Sequence, residues 1–301
     1  MPNAMRTPWI KPLAVGLLSF LFAYTANAQA LTGVLKKAHE TGAVTLGYRD
    51  ASIPFSYLSA RGEPIGYAID ICRALVDAIG EELGRELLIK WLPVTSETRF
   101  NAVTSGQVDM ECGSTTSNLE RQKVVGFSPT TFVSGTKLMV KNGSPVQSFR
   151  DLAGKRVGVT AGTTNEKTLR ELSDKFKLNL QLVVSRDHTE SFAQLASDKV
   201  DAFATDDILL YGLMAQNKAQ ANYSVVGEFL SYEPYGIMYR KGDARLAEVV
   251  NKTFATLADD GDLNRFYTRW FLRRLPSGVS INLPMSPQLV TIIQAMAVKP
   301  E

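Results

Sequence analysis

The sequence predicts an α/β protein of two lobes joined by two extended connectors, and three observations predict it. Short apolar strand-like runs alternate with stretches of helical spacing, which implies largely parallel sheets flanked by helices. Two extended Gly-containing segments, 131–140 and 232–240, resemble each other in composition. They flank a middle section that has its own strand–helix alternation, so one lobe comes from both chain ends and the other from the middle. That is the plan of a clamp with a hinge. The boundaries read as 29–134 with 236–301 for the first lobe and 135–235 for the second.

Residues 1–28 belong to neither lobe. Arg6 and Lys11 precede an apolar run over 13–23, and Ala26-Asn27-Ala28 follows, the order of a secretory signal peptide cleaved after Ala28. A membrane anchor is the competing reading, but the run falls short of the roughly 20 residues that span a bilayer. The expected product is a soluble protein outside the cytoplasm, or one tethered only by a partner.

In the first lobe, 31–40 reads as a helix closed by Gly42, and 43–49 as a buried strand. This strand delivers Arg49 to its carboxyl end, where ligands gather in α/β sheets. A small hairpin over 53–64 leads into a helix over 69–83, and a second strand covers 87–94. Ser96 reads as the N-cap of a helix running to Gly106, with Arg99 one turn inside. A third strand, 108–111, opens into Gly113-Ser114-Thr115-Thr116-Ser117-Asn118 and ends on Arg121. Such a run is poor core and good socket. Hydroxyls and the N–H groups around Gly113 are neutral donors, and Arg121 has a planar fork that matches a carboxylate. The alternative is a turn that caps a helix starting near Asn118. A strand over 124–128 comes next.

The second lobe repeats the alternation. After a strand over 156–159, Thr160 to Glu166 opens a helix to about 177, and this junction presents free N–H groups to an anion. It has neither the Gly-x-Gly-x-x-Gly spacing of a dinucleotide site nor a phosphate loop. A strand over 180–184, then Arg186-Asp187-His188, then a helix over 190–197 come next. A strand over 201–204 ends in Thr205-Asp206-Asp207. Beyond the second connector, helices are expected over 246–259, 263–271 and 287–298.

The composition, 45% hydrophobic and 21% charged, supplies ample core. Loss of residues 1–28 removes two basic and no acidic residues, which lowers the formal charge from +3 to +1. A near-neutral exported protein has no electrostatic case for binding nucleic acid. With only His39 and His188 as histidines, and no ligand-like spacing, neither a metal site nor a cofactor is expected. Export allows Cys72 and Cys112 to form a disulfide, and whether they do depends on a distance that spacing does not give.

In order along the chain stand Val44-Thr45-Leu46-Gly47-Tyr48-Arg49-Asp50, Pro54-Phe55-Ser56-Tyr57, Gly66-Tyr67 with Asp70, Ser96 with Arg99, and Glu111-Cys112-Gly113-Ser114-Thr115-Thr116. Asn118, Glu120-Arg121-Gln122, Gly162-Thr163-Thr164, Arg186-Asp187-His188 and Asp206-Asp207 complete the set. From 31 to 272 this series resembles the periplasmic solute-binding proteins for polar amino acids that serve ABC transporters, family 3, and most closely the glutamate/aspartate binders. The resemblance implies the two-lobed type II periplasmic binding protein fold with two hinge-connecting strands. It also implies a monomer that binds L-glutamate or L-aspartate and docks on membrane permease subunits. In the family's pattern Arg121 holds the ligand α-carboxylate, helped by Ser114, Thr116, Thr163 and Thr164, and Asp206 holds the α-ammonium. Arg49, Ser96, Arg99 and His188 receive the side-chain carboxylate, His188 adding a charge only where it is protonated.

The chain departs from the family at its cysteines. The family's partner for Cys112 lies in the second connector, where this chain has Gly236-Ile237-Met238, and Cys72 is extra, so that pairing does not transfer.

Two other functions compete. An exported enzyme on the same fold, of dehydratase or lyase type, needs an acid or base free to work at a reacting atom, whereas the candidates here are matched to ligand charge. Glu111 and Glu120 are the unassigned acids, Glu120 reading as helix surface and Asp207 as structural. A ligand sensor for a membrane receptor would carry the same site.

Overall fold

The computed structural model describes residues 31–297. The leader reading, 1–28, lies outside them, as does Val298 at the end expected of the last helix. Helix α1 (Gly33–Thr41) stops at Gly42, whose left-handed backbone closes it. There follow β1 (Ala43–Tyr48), a small antiparallel sheet of β2 (Ala51–Ser52), β3 (Ser56–Leu58) and β4 (Pro64–Ile65), then α2 (Tyr67–Leu83) and β5 (Leu88–Pro93). Next come α3 (Arg99–Thr104), β6 (Met110–Cys112), α4 (Leu119–Gln122) and β7 (Val125–Phe127).

The first connector is not one strand but two, β8 (Phe132–Ser134) and β9 (Thr136–Lys141), broken at Gly135. The middle section then runs through β10 (Arg156–Thr160), α5 (Thr164–Phe176), β11 (Gln181–Ser185), α6 (His188–Ala196), β12 (Ala202–Asp206), α7 (Asp207–Gln216) and β13 (Tyr223–Val226). The second connector is likewise divided, into β14 (Glu233–Tyr235) and β15 (Met238–Arg240). The chain closes with α8 (Ala244–Asp259), α9 (Asp262–Tyr267), a π-helical turn over Thr268–Leu272 and α10 (Pro287–Ala297).

Two five-stranded sheets result, in the orders β5-β1-β6-β15-β7 and β11-β10-β12-β9-β13. In the first, β1 runs parallel to both β5 and β6, while β15 returns from late in the chain and pairs antiparallel with β6 and β7. In the second, β10 runs parallel to β11 and β12, and β9 pairs antiparallel with β12 and β13. Strands β8 and β14 pair with each other, Phe132 opposite Tyr235, and stand between the two sheets in the chain path.

Phe132 and Tyr235 belong to an aromatic cluster with Phe55, Tyr67, Tyr267 and Phe271, ring centroids 4.4 to 6.4 Å apart. Edge-to-face and stacked pairs of this kind add to the gain from burial. They fasten the paired connectors to the first half of the molecule.

The sequence pattern does not predict α7. Ile208, Leu209, Leu210 and Leu213 are all buried, so the helix is apolar around its circumference and has no polar face to reveal a helical period. Ser96 is not a cap either. Thr98 stands at the start of α3, where the Thr95 and Thr98 hydroxyls each accept the other's backbone N–H at 3.1 and 2.9 Å. Arg99 is therefore the first residue of the helix.

Cys72 of α2 and Cys112 at the end of β6 form a disulfide with Cα atoms 6.2 Å apart, which answers the question left open by their spacing.

Candidate functional site

Each expected site residue lies at or beyond the carboxyl end of a parallel strand. Arg49 follows β1, Ser96 and Arg99 follow β5, and Ser114, Thr116 and Arg121 follow β6. In the other half Thr163 and Thr164 follow β10, His188 follows β11, and Asp206 ends β12. Two sheets thus direct their carboxyl ends to one place. A small cavity is lined by eight of these ten residues, together with Asn165 and Leu209. Arg49 and Arg121 are the two that do not line it.

The cationic side carries three guanidinium groups. Arg49 is 1% exposed, and its Nε and Nη1 make no hydrogen bond among the described residues. The Ser56 hydroxyl holds its backbone, accepting from Arg49 N at 2.8 Å and donating to Arg49 O at 3.1 Å. Burial, and then the neighbouring Arg99 charge, push the Arg49 pKa down to about 10, so it stays cationic near neutrality. Arg99 donates from Nη1 to the Thr115 hydroxyl at 2.7 Å, while its Nε and the buried Ser96 hydroxyl make no hydrogen bond among the described residues.

Arg121 is half-buried at the edge of the cavity. Its Nη1 donates to Thr116 O at 3.1 Å and its Nη2 to Gly162 O at 3.4 Å, so one fork touches both halves of the protein. Arg99 and Arg121 both lie over the Phe100 ring, at 5.5 and 5.0 Å from its centre. Burial, then the Arg99 charge, lower the Arg121 pKa to about 9. The capping reading of the hydroxyl-rich stretch holds, since Asn118 caps α4 by accepting Arg121 N at 2.9 Å.

His188 corrects one expectation. Its ring is buried, with Nδ1 2.9 Å from the Thr160 hydroxyl. Burial first, then the charges of Arg49 and Arg99, hold its pKa well below the ordinary histidine value. Here the neutral ring, with one donor or acceptor free, is favoured over the imidazolium.

The anionic side contains a residue that sequence reasoning missed. Glu233 of β14, 2% exposed, accepts from the hydroxyls of Thr116 at 2.6 Å, Thr164 at 2.7 Å and Ser231 at 2.6 Å. Its only sequence signal is a lone acid inside an aromatic extended segment. A hydroxyl has one hydrogen, so Thr116 and Thr164 spend theirs on Glu233 and turn lone pairs toward the cavity. Thr163 is committed as well, donating to Thr160 O at 2.7 Å and capping α5 by accepting Glu166 N at 3.1 Å. The hydroxyl hydrogens of Thr116, Thr163 and Thr164 are therefore committed within the protein.

Asp206 accepts from Asn165 Nδ2 at 2.7 Å and from the Tyr235 hydroxyl. Burial first, and the Glu233 carboxylate second, push its pKa up to about 7. The sign is set by linkage. A carboxyl raised on folding stabilises the fold below its unfolded value, and that contribution is lost as pH rises toward 7. Asp207 accepts from the Ser134 hydroxyl at 2.6 Å and from Ile208 N, a structural role. Glu120 is exposed and pairs with Lys167 at 2.8 Å.

The two halves meet through backbone as well as side chains. A Cβ at Gly162 would lie 2.9 Å from Glu97 Cα and 3.0 Å from Ser96 O, and one at Gly212 would lie 2.1 Å from Ile53 O. Neither site has room for a methyl group.

Residues 44–273 match the family described as bacterial extracellular solute-binding proteins, family 3. The chain is 44% identical over 284 residues to the L-glutamate/L-aspartate-binding protein of Pseudomonas aeruginosa, covering 93% of this chain and 94% of that one. It is 35% identical over 292 residues to the glutamate/aspartate import solute-binding protein of Escherichia coli K12, covering 96% and 97%. Among solved structures, an ancestral arginine-binding protein bound to arginine superposes with a TM-score of 0.70 at 31% identity, over 76% of this chain and 98% of that one. Two sheets with paired connectors, a site at their carboxyl ends and these matches lead to one assignment: the chain belongs to the family 3 bacterial extracellular solute-binding proteins.

Proposed function

We propose that this chain is exported to the periplasm, captures L-glutamate or L-aspartate as a monomer, and delivers it to the membrane subunits of an ABC importer. One observation carries the choice of an acidic ligand. Arg49 Nε and Nη1, Ser96 Oγ and Arg99 Nε are buried donors without hydrogen-bond partners among the described residues. Buried polar groups are ordinarily satisfied, and buried cations ordinarily paired, so these donors fit a ligand carboxylate. Asp206 lies on the cavity that Ser96 and Arg99 line and fits an ammonium group. Arg121, with the N–H groups opening α5, fits the α-carboxylate. Residues 29–134 with 236–301 form one lobe and 135–235 the other, and closure occurs about the β8 and β14 connectors. The names of the Pseudomonas and Escherichia relatives agree with this ligand class.

Titration calorimetry on residues 29–301 tests the reading. Glutamate and aspartate bind, and glutamine binds at least about 30-fold more weakly than glutamate. That factor corresponds to the lower end of the 2–5 kcal/mol lost when a buried charge pair loses one partner. Glutamine binding as tight as glutamate binding would overturn the acidic-ligand assignment.

The reading also sets a pH dependence. An ammonium group prefers the ionised form of Asp206, whose pKa stands at about 7 without it. Affinity for glutamate is therefore full at pH 8 and falls by up to about thirtyfold at pH 5.5, the cost of removing one proton. Calorimetry in buffers of different ionisation enthalpy will register the released proton. A flat profile between pH 5.5 and 8 would remove Asp206 from the ammonium role.

A further inference from the structure

We propose that Glu111 sets the charge that the distal end of this site accepts, admitting one negative charge and rejecting two. The inference rests on the reading that Arg49 and Arg99 receive the ligand side chain. Glu111 is 0% exposed, in β6 beneath both arginines. Its Oε2 accepts from the Thr115 hydroxyl at 2.6 Å, and that hydroxyl accepts from Arg99 Nη1 at 2.7 Å. The direction of this relay is fixed. A guanidinium only donates, so the single hydrogen of Thr115 must go to the carboxylate.

The other oxygen, Oε1, is buried without a hydrogen-bond partner among the described residues. It lies on the Arg49 side of the relay. A Cβ at Gly113 would be 2.3 Å from Glu111 Oε1 and 2.9 Å from Arg49 Cγ, so the missing side chain brings carboxylate and arginine together. Glu111 thus acts on both cations, reaching Arg99 through Thr115 and lying beside the Arg49 stem at Gly113, where its charge favours the Arg49 cation.

Charge accounting gives the consequence. Arg49 and Arg99 supply two positive charges and Glu111 one negative, while His188 is neutral. The other acids that act on these two arginines lie outside this group: Asp206 and Glu233 act on Arg99 but also on Arg121, whose charge they face. Asp50 is exposed, and Asp187 is paired with Arg186 at 3.0 Å. A net charge of +1 matches one carboxylate. A dianionic group would place excess negative charge against Glu111 in a medium of low dielectric, and a neutral amide would leave the positive charge unmatched.

The test compares glutamate with its analogue bearing a phosphonate in place of the side-chain carboxylate. Like a phosphate monoester, the phosphonate gains its second charge between about pH 6 and 8. The ratio of the two dissociation constants cancels every effect common to both ligands, including that of Asp206. In the wild-type protein the phosphonate should lose ground to glutamate as pH rises from 6 to 8. Glu111→Gln keeps an oxygen for Thr115 and removes the charge, so in that variant the phosphonate should gain ground instead. At pH 8 the ratio should shift by at least tenfold toward the phosphonate.

A ratio that does not move between wild type and variant, whatever the absolute affinities, overturns the proposal. The wild-type trend is measurable even if Glu111→Gln does not fold, and a phosphonate that binds better as it gains its second charge overturns the proposal by itself. Wild-type protein that binds neither glutamate nor aspartate rejects the acidic-ligand reading as a whole. Glutamate binding with an unmoved ratio rejects only the role of Glu111.

Discussion

Arg121→Ala weakens glutamate, aspartate and glutamine alike, each by roughly 10²–10³-fold. The α-carboxylate is the group these ligands share, and Arg121 is the guanidinium at the edge of the cavity, with Nη1 bonded to Thr116 O and Nη2 to Gly162 O across the two halves. Truncating one partner of a desolvated, hydrogen-bonded charge pair costs about 2–5 kcal/mol, and the middle of that range is this fold-change. Lysine is a poor substitute, because it lacks the planar fork and the stacking surface that Arg121 uses against Phe100. Arg99→Ala gives the contrasting pattern. Glutamate loses far more than glutamine, since only glutamate presents a charge to that end of the site. Calorimetry on the two variants with the three ligands separates the roles. An Arg121→Ala protein that retains glutamate affinity within tenfold of wild type would contradict the assignment of the α-carboxylate.

Replacing Cys72 and Cys112 together with alanine lowers stability by about 4 kcal/mol. The bond closes a loop of sequence separation 40, and the chain-entropy relation assigns about that much to a loop of this length. Both cysteines are fully buried, so truncation adds a packing loss rather than offsetting the effect. The consequence reaches the site, because Cys112 immediately precedes Gly113 and Ser114. Urea unfolding with and without glutamate measures the loss, with the midpoint and slope read separately. A double variant whose midpoint matches wild type would mean that packing between α2 and β6 suffices without the bond.

The parts of this architecture that arise from local pattern are legible in the sequence. The strands that carry Arg49, His188 and Asp206 announce themselves by apolar runs, and a parallel sheet gathers the residues just beyond its strands at one edge. Asn118 and Thr163 can be read as cap or helix-opening residues because a cap is a local matter. Features that depend on distance are not legible. The proton state of His188 is set by burial and by two arginines from the other half of the molecule. The commitment of the Thr116 and Thr164 hydroxyls is set by Glu233, 117 and 69 residues away in sequence. Helix α7 escapes for the opposite reason, since a helix buried all round has no amphipathic signature. The Cys72–Cys112 pairing requires the distance from α2 to β6, which no spacing supplies.

For the closure proposed above, the backbone approaches at Gly162 and Gly212 would act as a mechanical stop. Peptide meets peptide there, and neither side has a flexible end that can yield. In the clamp proposed above, the lobes cannot be drawn closer than this, so its cavity would have a smallest size that no ligand reduces. Length is then judged asymmetrically. A side chain one methylene too long keeps the jaws from seating, and every contact across them is weakened together. One that is a methylene too short lets the jaws seat and forfeits only its own reach to the distal arginines. The site is a gauge with a hard lower limit, strict toward longer ligands and lenient toward shorter ones.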